Sequence, residues 1–125
     1  MVFGRRKVLK IGIVGSRTFE EYTAMSNYIK EKINLDDYNT VVSGGAVGAD
    51  NLAERFARDN SLAMVVHYPE WNRFGNNAGF IRNSKIVEES DVIFAFWDGR
   101  SRGTHDTIDK AKRMGKPIHI FTFGH

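Results

Sequence analysis

The run Val92-Ile93-Phe94-Ala95-Phe96 constrains the fold more than any other stretch of the chain. It follows the charged Asp91 and is apolar on both faces, so it reads as a central strand that must be covered from two sides. Strands of that kind belong to parallel sheets packed by helices above and below. Four more apolar runs read as strands: Val8 to Val14, Thr40 to Val42, Ala63 to Tyr68 and Ile118 to Phe121. The third ends at Pro69, which has no amide proton to give a ladder.

Helical patterns fill the intervals. Phe19, Tyr22, Met25, Ile29 and Ile33 recur at helical spacing, and Thr18 with Glu21 forms a capping box at their start. Leu52, Ala53, Phe56 and Ala57 give a narrow face of mostly small residues on a second helix. Ala78 to Glu89 reads as a third, with Phe80, Ile81 and Val87 as core contacts, and about Thr104 to Met114 as a fourth, closed by Gly115 and followed by Pro117. Pro69 to Asn77 is the longest irregular segment, rich in Trp, Arg and Asn. Five strands alternating with four helices predict an α/β fold: a three-layer Rossmann-like domain whose five-stranded parallel sheet has the order 3-2-1-4-5. The whole chain, residues 1–125, is expected to form this one domain.

Right-handed crossovers put every strand-to-helix turn on one edge of such a sheet. The turns at Ser16-Arg17, Gly44-Gly45, Trp71 and Arg100 to Thr104 are therefore expected to face a single crevice. Among them, Ser43-Gly44-Gly45-Ala46-Val47-Gly48-Ala49-Asp50 has the composition of a phosphate cradle. Its glycines let a ligand approach main-chain amides, and the helix behind it begins near Asp50 with unpaired N–H groups. Glycines at a β–α turn also serve geometry alone, and both readings stand for the spacing by itself. The sequence is neither GxGxxG nor followed by GK[ST], so it supports neither a dinucleotide-binding dehydrogenase nor a P-loop NTPase.

Composition narrows the ligand. The chain has 18 Lys and Arg against 15 Asp and Glu, a formal net charge of +3, which suits an anionic partner but is modest and spread along the sequence. The one tight basic run, Arg5-Arg6-Lys7, reads as a solvated tail or a nucleic-acid contact. There are no cysteines, which excludes disulfides and thiolate chemistry. No segment is apolar enough to span a membrane or to act as a signal peptide, so a cytoplasmic protein without a membrane partner is expected. His67, His105, His119 and His125 show no metal-ligand spacing. No metal site or cofactor is expected, and a phosphate-bound Mg2+ leaves no trace in a sequence.

Several segments together carry a resemblance. Gly15-Ser16-Arg17, Ser43-Gly44-Gly45 through Asp50, Trp71 with Gly75 and Ala78-Gly79, Ile81-Arg82-Asn83, Ala95-Phe96 and Gly103-Thr104 resemble, in order and spacing, the YspA-like (cpYpsA-related) families of the SLOG superfamily. The resemblance runs from Lys10 to Phe121, and its most specific part is Trp71 to Asn83. These Rossmannoid domains are related to lonely-guy phosphoribohydrolases and to the DNA-processing protein DprA. The kinship implies a site for a nucleotide or nucleotide-derived ligand. One departure bears on chemistry. Where the phosphoribohydrolases carry a catalytic Glu in a Gly-Gly-x-Gly-Thr-x-x-Glu motif, this chain has Thr107, so the expected proton carrier is gone. Asp98, Asp106 or Asp109 would replace it only with a differently seated ligand.

The candidate binding residues are then Gly15, Ser16, Arg17, Ser43, Gly44, Gly45, Asp50, Trp71, Arg82, Asn83, Asp98, Gly103 and Thr104. Gly44, Gly45, Gly103 and Thr104 would offer backbone amides to phosphate, and Arg17 and Arg82 a planar fork, unless those arginines pair with Glu20, Glu21 or Asp50. Asp50 would bond ribose hydroxyls or cap its helix, and Asn83 would read a base or ribose or bond locally. Trp71 and Phe74 would stack on a base or form a subunit contact. No catalytic residue is assigned. The leading expectation is binding of a nucleotide-derived small molecule, as sensor or sequestering protein. Hydrolysis of an N-glycosidic or phosphate bond is the alternative enzyme reading, and single-stranded nucleic-acid binding ranks behind as a partner. Trp71, Phe74 and Trp97 would suit a homo-oligomer interface.

Overall fold

The apolar runs pair as a single sheet. A computed structural model describes residues 9–124; Arg5-Arg6-Lys7, Val8 and His125 lie outside them. The strands are β1 (Leu9–Gly15), β2 (Tyr38–Ser43), β3 (Ala63–Val66), β4 (Val92–Trp97) and β5 (Ile118–Thr122), and the helices α1 (Tyr22–Lys32), α2 (Ala49–Asp59), α3 (Trp71–Phe74), α4 (Ala78–Glu89) and α5 (Arg102–Arg113). All pairings are parallel and the order is β3-β2-β1-β4-β5. This is the three-layer Rossmann-like α/β arrangement expected from the sequence.

The period-two alternation of β4 divides the core. Val92, Phe94 and Phe96 join the cluster under α1 and α2, built from Ile11, Ile13, Met25, Ile29, Ala53 and Phe56. Ile93 and Ala95 join Val14, Val42, Ile86, Val87, Ile108 and Ala111 under α4 and α5. Ile93, Phe94 and Phe96 are fully buried, and each such side chain contributes roughly 1.5 to 3 kcal/mol. Because β1 neighbours both β2 and β4, the chain reverses its winding between β1 and β4. A crevice opens at that point in sheets of this kind.

Three local expectations are corrected. Thr18 and Glu21 form no capping box: α1 begins at Tyr22, with Glu21 at its N-cap making no side-chain cap bond. Ser16 accepts the Phe19 amide at 3.2 Å, and Phe19 is buried with its ring 5.0 Å from those of Phe96 and Phe123. The core's demand for that ring outweighs a cap worth about 1 kcal/mol, and the helix starts later. Phe80 is 48% exposed rather than a core contact, because α4 turns Ala78, Asn83, Ile86 and Val87 inward. Trp71 to Asn77 is less irregular than expected: α3 is followed by a 3-10 turn at Gly75–Asn77. Among the described residues no helix is long and apolar enough to cross a membrane.

Candidate functional site

At the C-terminal edge of the sheet lies a cavity of about 210 Å³, with walls from four distant segments. Val14, Gly15 and Arg17 come from the end of β1, Gly44, Ala46 and Asp50 from the glycine turn and the first turn of α2. Arg82, Asn83 and Ile86 come from α4, and Ser101, Gly103, Thr104 and Thr107 from the start of α5.

The glycine turn exists in this form because two groups crowd it. A Cβ at Gly44 would stand 2.5 Å from Arg82 Nη1 and 3.1 Å from Asp50 Oδ2, so only glycine lets both approach the main chain there. Arg82 Nη1 donates to Gly44 O at 2.6 Å and Nε to Asn83 Oδ1 at 2.9 Å. A guanidinium has five N–H donors, so most of its hydrogen-bonding capacity remains for a ligand. Burial pushes the Arg82 pKa down, and the charge of Asp50 opposes that shift.

Asp50 is the buried acid of the cavity, only 6% exposed. Its Oδ2 accepts the Ala46 amide at 3.0 Å, so the side chain reaches back to the glycine turn; the N-cap position is Gly48. Its Oδ1 accepts no main-chain amide, and the fully buried Ser43 hydroxyl is the neighbour of the carboxyl. Burial raises the Asp50 pKa to about 6, while the Ala46 amide, Arg82 and the Ser43 hydroxyl favour the charged form. A buried carboxylate with one oxygen short of an amide donor is costly.

The far wall is the N-terminus of α5. Ser101 caps the helix, its Oγ accepting the Thr104 amide at 3.3 Å. Asp98 shapes the turn before it by accepting the amides of Arg100 and Ser101, both at 2.8 Å. Those two amides hold the Asp98 carboxyl below its ordinary pKa. With the Thr104 amide taken by Ser101 and the His105 amide bonded to Ser101 O, the amides of Arg102 and Gly103 are the ones left at the positive end of the helix dipole. A Cβ at Gly103 would meet nothing within 4 Å, so the approach to these amides is open.

Of the sequence-derived candidates, Gly15, Arg17, Gly44, Asp50, Arg82, Asn83, Gly103 and Thr104 are brought together around the cavity. Asn83 is already committed, donating to Gly103 O at 3.2 Å and Asp106 Oδ2 at 3.1 Å while accepting from Arg82. It fastens α4 to α5. Five candidates do not line the cavity. Ser16 is buried and used up, its N–H donating to Phe96 O and its Oγ accepting the Asp98 amide at 3.1 Å. Ser43 lies below the floor. Gly45 turns with φ +73° against the Tyr68 ring, Asp98 holds the turn before α5, and Trp71 is 58% exposed beside Pro69, Asn72 and Arg73. Sequence reasoning missed Val14, Ala46, Ile86 and Ser101. Ser101 could have been found as the cap of a Ser-x-x-Thr start. Thr107, at the position of the absent carboxylate, does face the cavity, and its Oγ1 donates to Gly103 O at 3.2 Å. Among the described residues no three His, Asp or Glu side chains are grouped to hold a metal ion.

Known proteins can be set against this geometry. The family model described as DNA recombination-mediator protein A matches residues 3–68, from before β1 through the glycine turn and β3. The Gene 61 protein of Mycobacterium phage D29 is 33% identical over 123 residues, covering 93% of this chain and 96% of that protein. In fold, the chain is similar to DNA processing protein A (DprA) from Streptococcus pneumoniae, with a TM-score of 0.73 and 19% identity over 90% of this chain. It is also similar to DNA processing protein A from Helicobacter pylori, with a TM-score of 0.68 and 20% identity over 91% of this chain. This chain spans 50% and 65% of those two longer chains, respectively. The Helicobacter pylori structure is described as showing a unique single-stranded DNA binding mode. That finding overturns the expected order of partners, in which nucleic acid stood behind a nucleotide-derived small molecule. That order followed from the nucleotide site that the SLOG resemblance implies, and a net charge of +3, which averages over the surface, did not separate the two partners. From the glycine turn and the matched first half of its sheet, this chain belongs to the DNA recombination-mediator protein A family.

Proposed function

We propose that this chain binds single-stranded nucleic acid at the C-terminal edge of its sheet, seating a backbone phosphate between the Arg82 guanidinium and the first amides of α5. The observation that carries the reading is Arg82: a half-buried cation, fixed by Gly44 and Asn83, that faces a cavity with most of its donors unspent. Charge-assisted contacts to phosphate are the strong ones, and helix N-termini favour anions. Family membership and the single-stranded DNA binding mode described for the Helicobacter pylori protein support the same partner. Within the wider SLOG superfamily, the resemblance of the Trp71 to Asn83 block supports a place near the YspA-like families.

The test is fluorescence anisotropy with a labelled oligothymidylate across a salt series. Each neutralised phosphate adds about −0.7 to the slope of log K against log salt for single strands, so one phosphate at Arg82 and a neighbouring one at Arg17 predict about −1.4. Arg82→Ala should weaken binding by roughly tenfold or more and remove about half of that slope. Absence of binding at low salt, or binding indifferent to salt, would overturn the reading.

A further inference from the structure

The strained feature of the site is the carboxyl of Asp50, and a phosphate cradle does not account for it. An anion site gains nothing from a buried acid; the negative charge opposes the ligand. The Ala46 amide occupies only Oδ2. Oδ1 accepts no amide, although the residue is 6% exposed and lines the cavity; the fully buried Ser43 hydroxyl stands beside the carboxyl but outside the cavity wall. A carboxylate in the cavity wall with one oxygen accepting no amide, next to an arginine suited to phosphate, describes a ligand that presents a hydrogen-bond donor a short distance from its phosphate.

The size of the cavity narrows that ligand. About 210 Å³ is below the roughly 300 Å³ at which pockets begin to enclose drug-sized ligands. A sugar and its phosphate fit such a volume with the base left outside. The donor nearest a phosphate in a nucleic acid is a sugar hydroxyl.

Resting on the nucleic-acid reading above, we propose that Asp50 is a hydroxyl reader: the cavity prefers a nucleotide whose sugar carries a free hydroxyl over an internal deoxyribose. Two sources share this chemistry, the 2′-hydroxyl of a ribonucleotide and the 3′-hydroxyl at the end of a strand. Near pH 7.5 Asp50 is ionised, its pKa standing at about 6, and a carboxylate accepts a hydroxyl proton in a strong hydrogen bond.

Anisotropy at pH 7.5 with three labelled single strands of equal length tests the proposal. One is all-deoxy with a 3′-deoxy terminus, one has an ordinary 3′-hydroxyl, and one has a single internal ribonucleotide and the blocked terminus. The expected result is about tenfold tighter binding of at least one hydroxyl-bearing strand than of the blocked strand, and which one it is identifies the source. Asp50→Ala should bring that ratio to about one, and Asp50→Asn, which keeps an acceptor for the Ala46 amide, should reduce it partway. Equal binding of all three strands by the wild-type protein overturns the hydroxyl reading and leaves the nucleic-acid reading standing. Failure of every strand to bind overturns both. An undiminished ratio in Asp50→Ala with native circular dichroism removes the assignment to Asp50.

Discussion

Burying the Asp50 carboxyl has a consequence for stability that can be signed and measured. Its pKa rises from 3.8 to about 6 in the folded protein. Between about pH 4 and 6 the folded state therefore holds a proton that the unfolded chain has released, so stability falls as pH rises through that window and levels off above it. At 1.36 kcal/mol per pKa unit, the loss is on the order of 2 to 3 kcal/mol. Asp50→Asn removes the titration and keeps an acceptor for Ala46. In urea unfolding, its stability relative to wild type should improve by on the order of 2 kcal/mol between pH 4 and pH 7.5. A difference that does not change with pH would contradict this account. The sequence showed Asp50 as a polar residue at a helix start and left capping and ribose contact both open. It did not show the bond to Ala46, because an acid after a flexible turn can serve the helix ahead or the turn behind, and only the path of Gly44 to Gly48 decides.

That turn separates two kinds of glycine. At Gly44 a Cβ would meet the tip of Arg82, a flexible side chain able to swing away. Gly44→Ala should thus change the melting temperature little but weaken oligonucleotide binding, since Arg82 must leave Gly44 O. At Gly48, φ is +78° and ψ is −126°, and a Cβ would lie 2.3 Å from the carbonyl oxygen of Arg17. Neither the backbone angles nor the carbonyl can yield cheaply, so Gly48→Ala should lose at least about 2 kcal/mol of stability by thermal or chemical unfolding. Equal losses at the two positions would show that crowding by Arg82 is structural. The elements were read from sequence with uneven success for related reasons. β4 was plain because both faces are apolar, and α4 was located to the residue by its periodicity. The start of α1 and the outward turn of Phe80 were missed, since the core's need for Phe19 and the inward turn of Asn83 to bond Gly103 are long-range facts.

Across the whole molecule, topology gathers what the sequence scatters. The order β3-β2-β1-β4-β5 in an all-parallel sheet brings Arg17, Gly44, Arg82 and Gly103 to one edge. That convergence was readable from the alternation of strands and helices alone. The position of Trp71 was not, because the sequence does not say how far a segment after an edge strand travels before α4 begins. The order of partners followed the nucleotide site implied by the SLOG resemblance, and net charge, which counts cations without placing them, did not correct it. The indole of Trp97 is tied to the cavity wall. It stands at the end of β4, its Nε1 donates to Ser101 O at 3.1 Å, and its ring lies 5.6 Å from that of His105. The residue that caps the cavity's helix is thereby wired to a fluorophore, while Trp71 lies exposed and away from the cavity. Titrating oligonucleotide into unlabelled protein should change the intrinsic emission in wild type and Trp71→Phe alike and leave Trp97→Phe dark to the ligand. The chain carries its own optical gauge of occupancy.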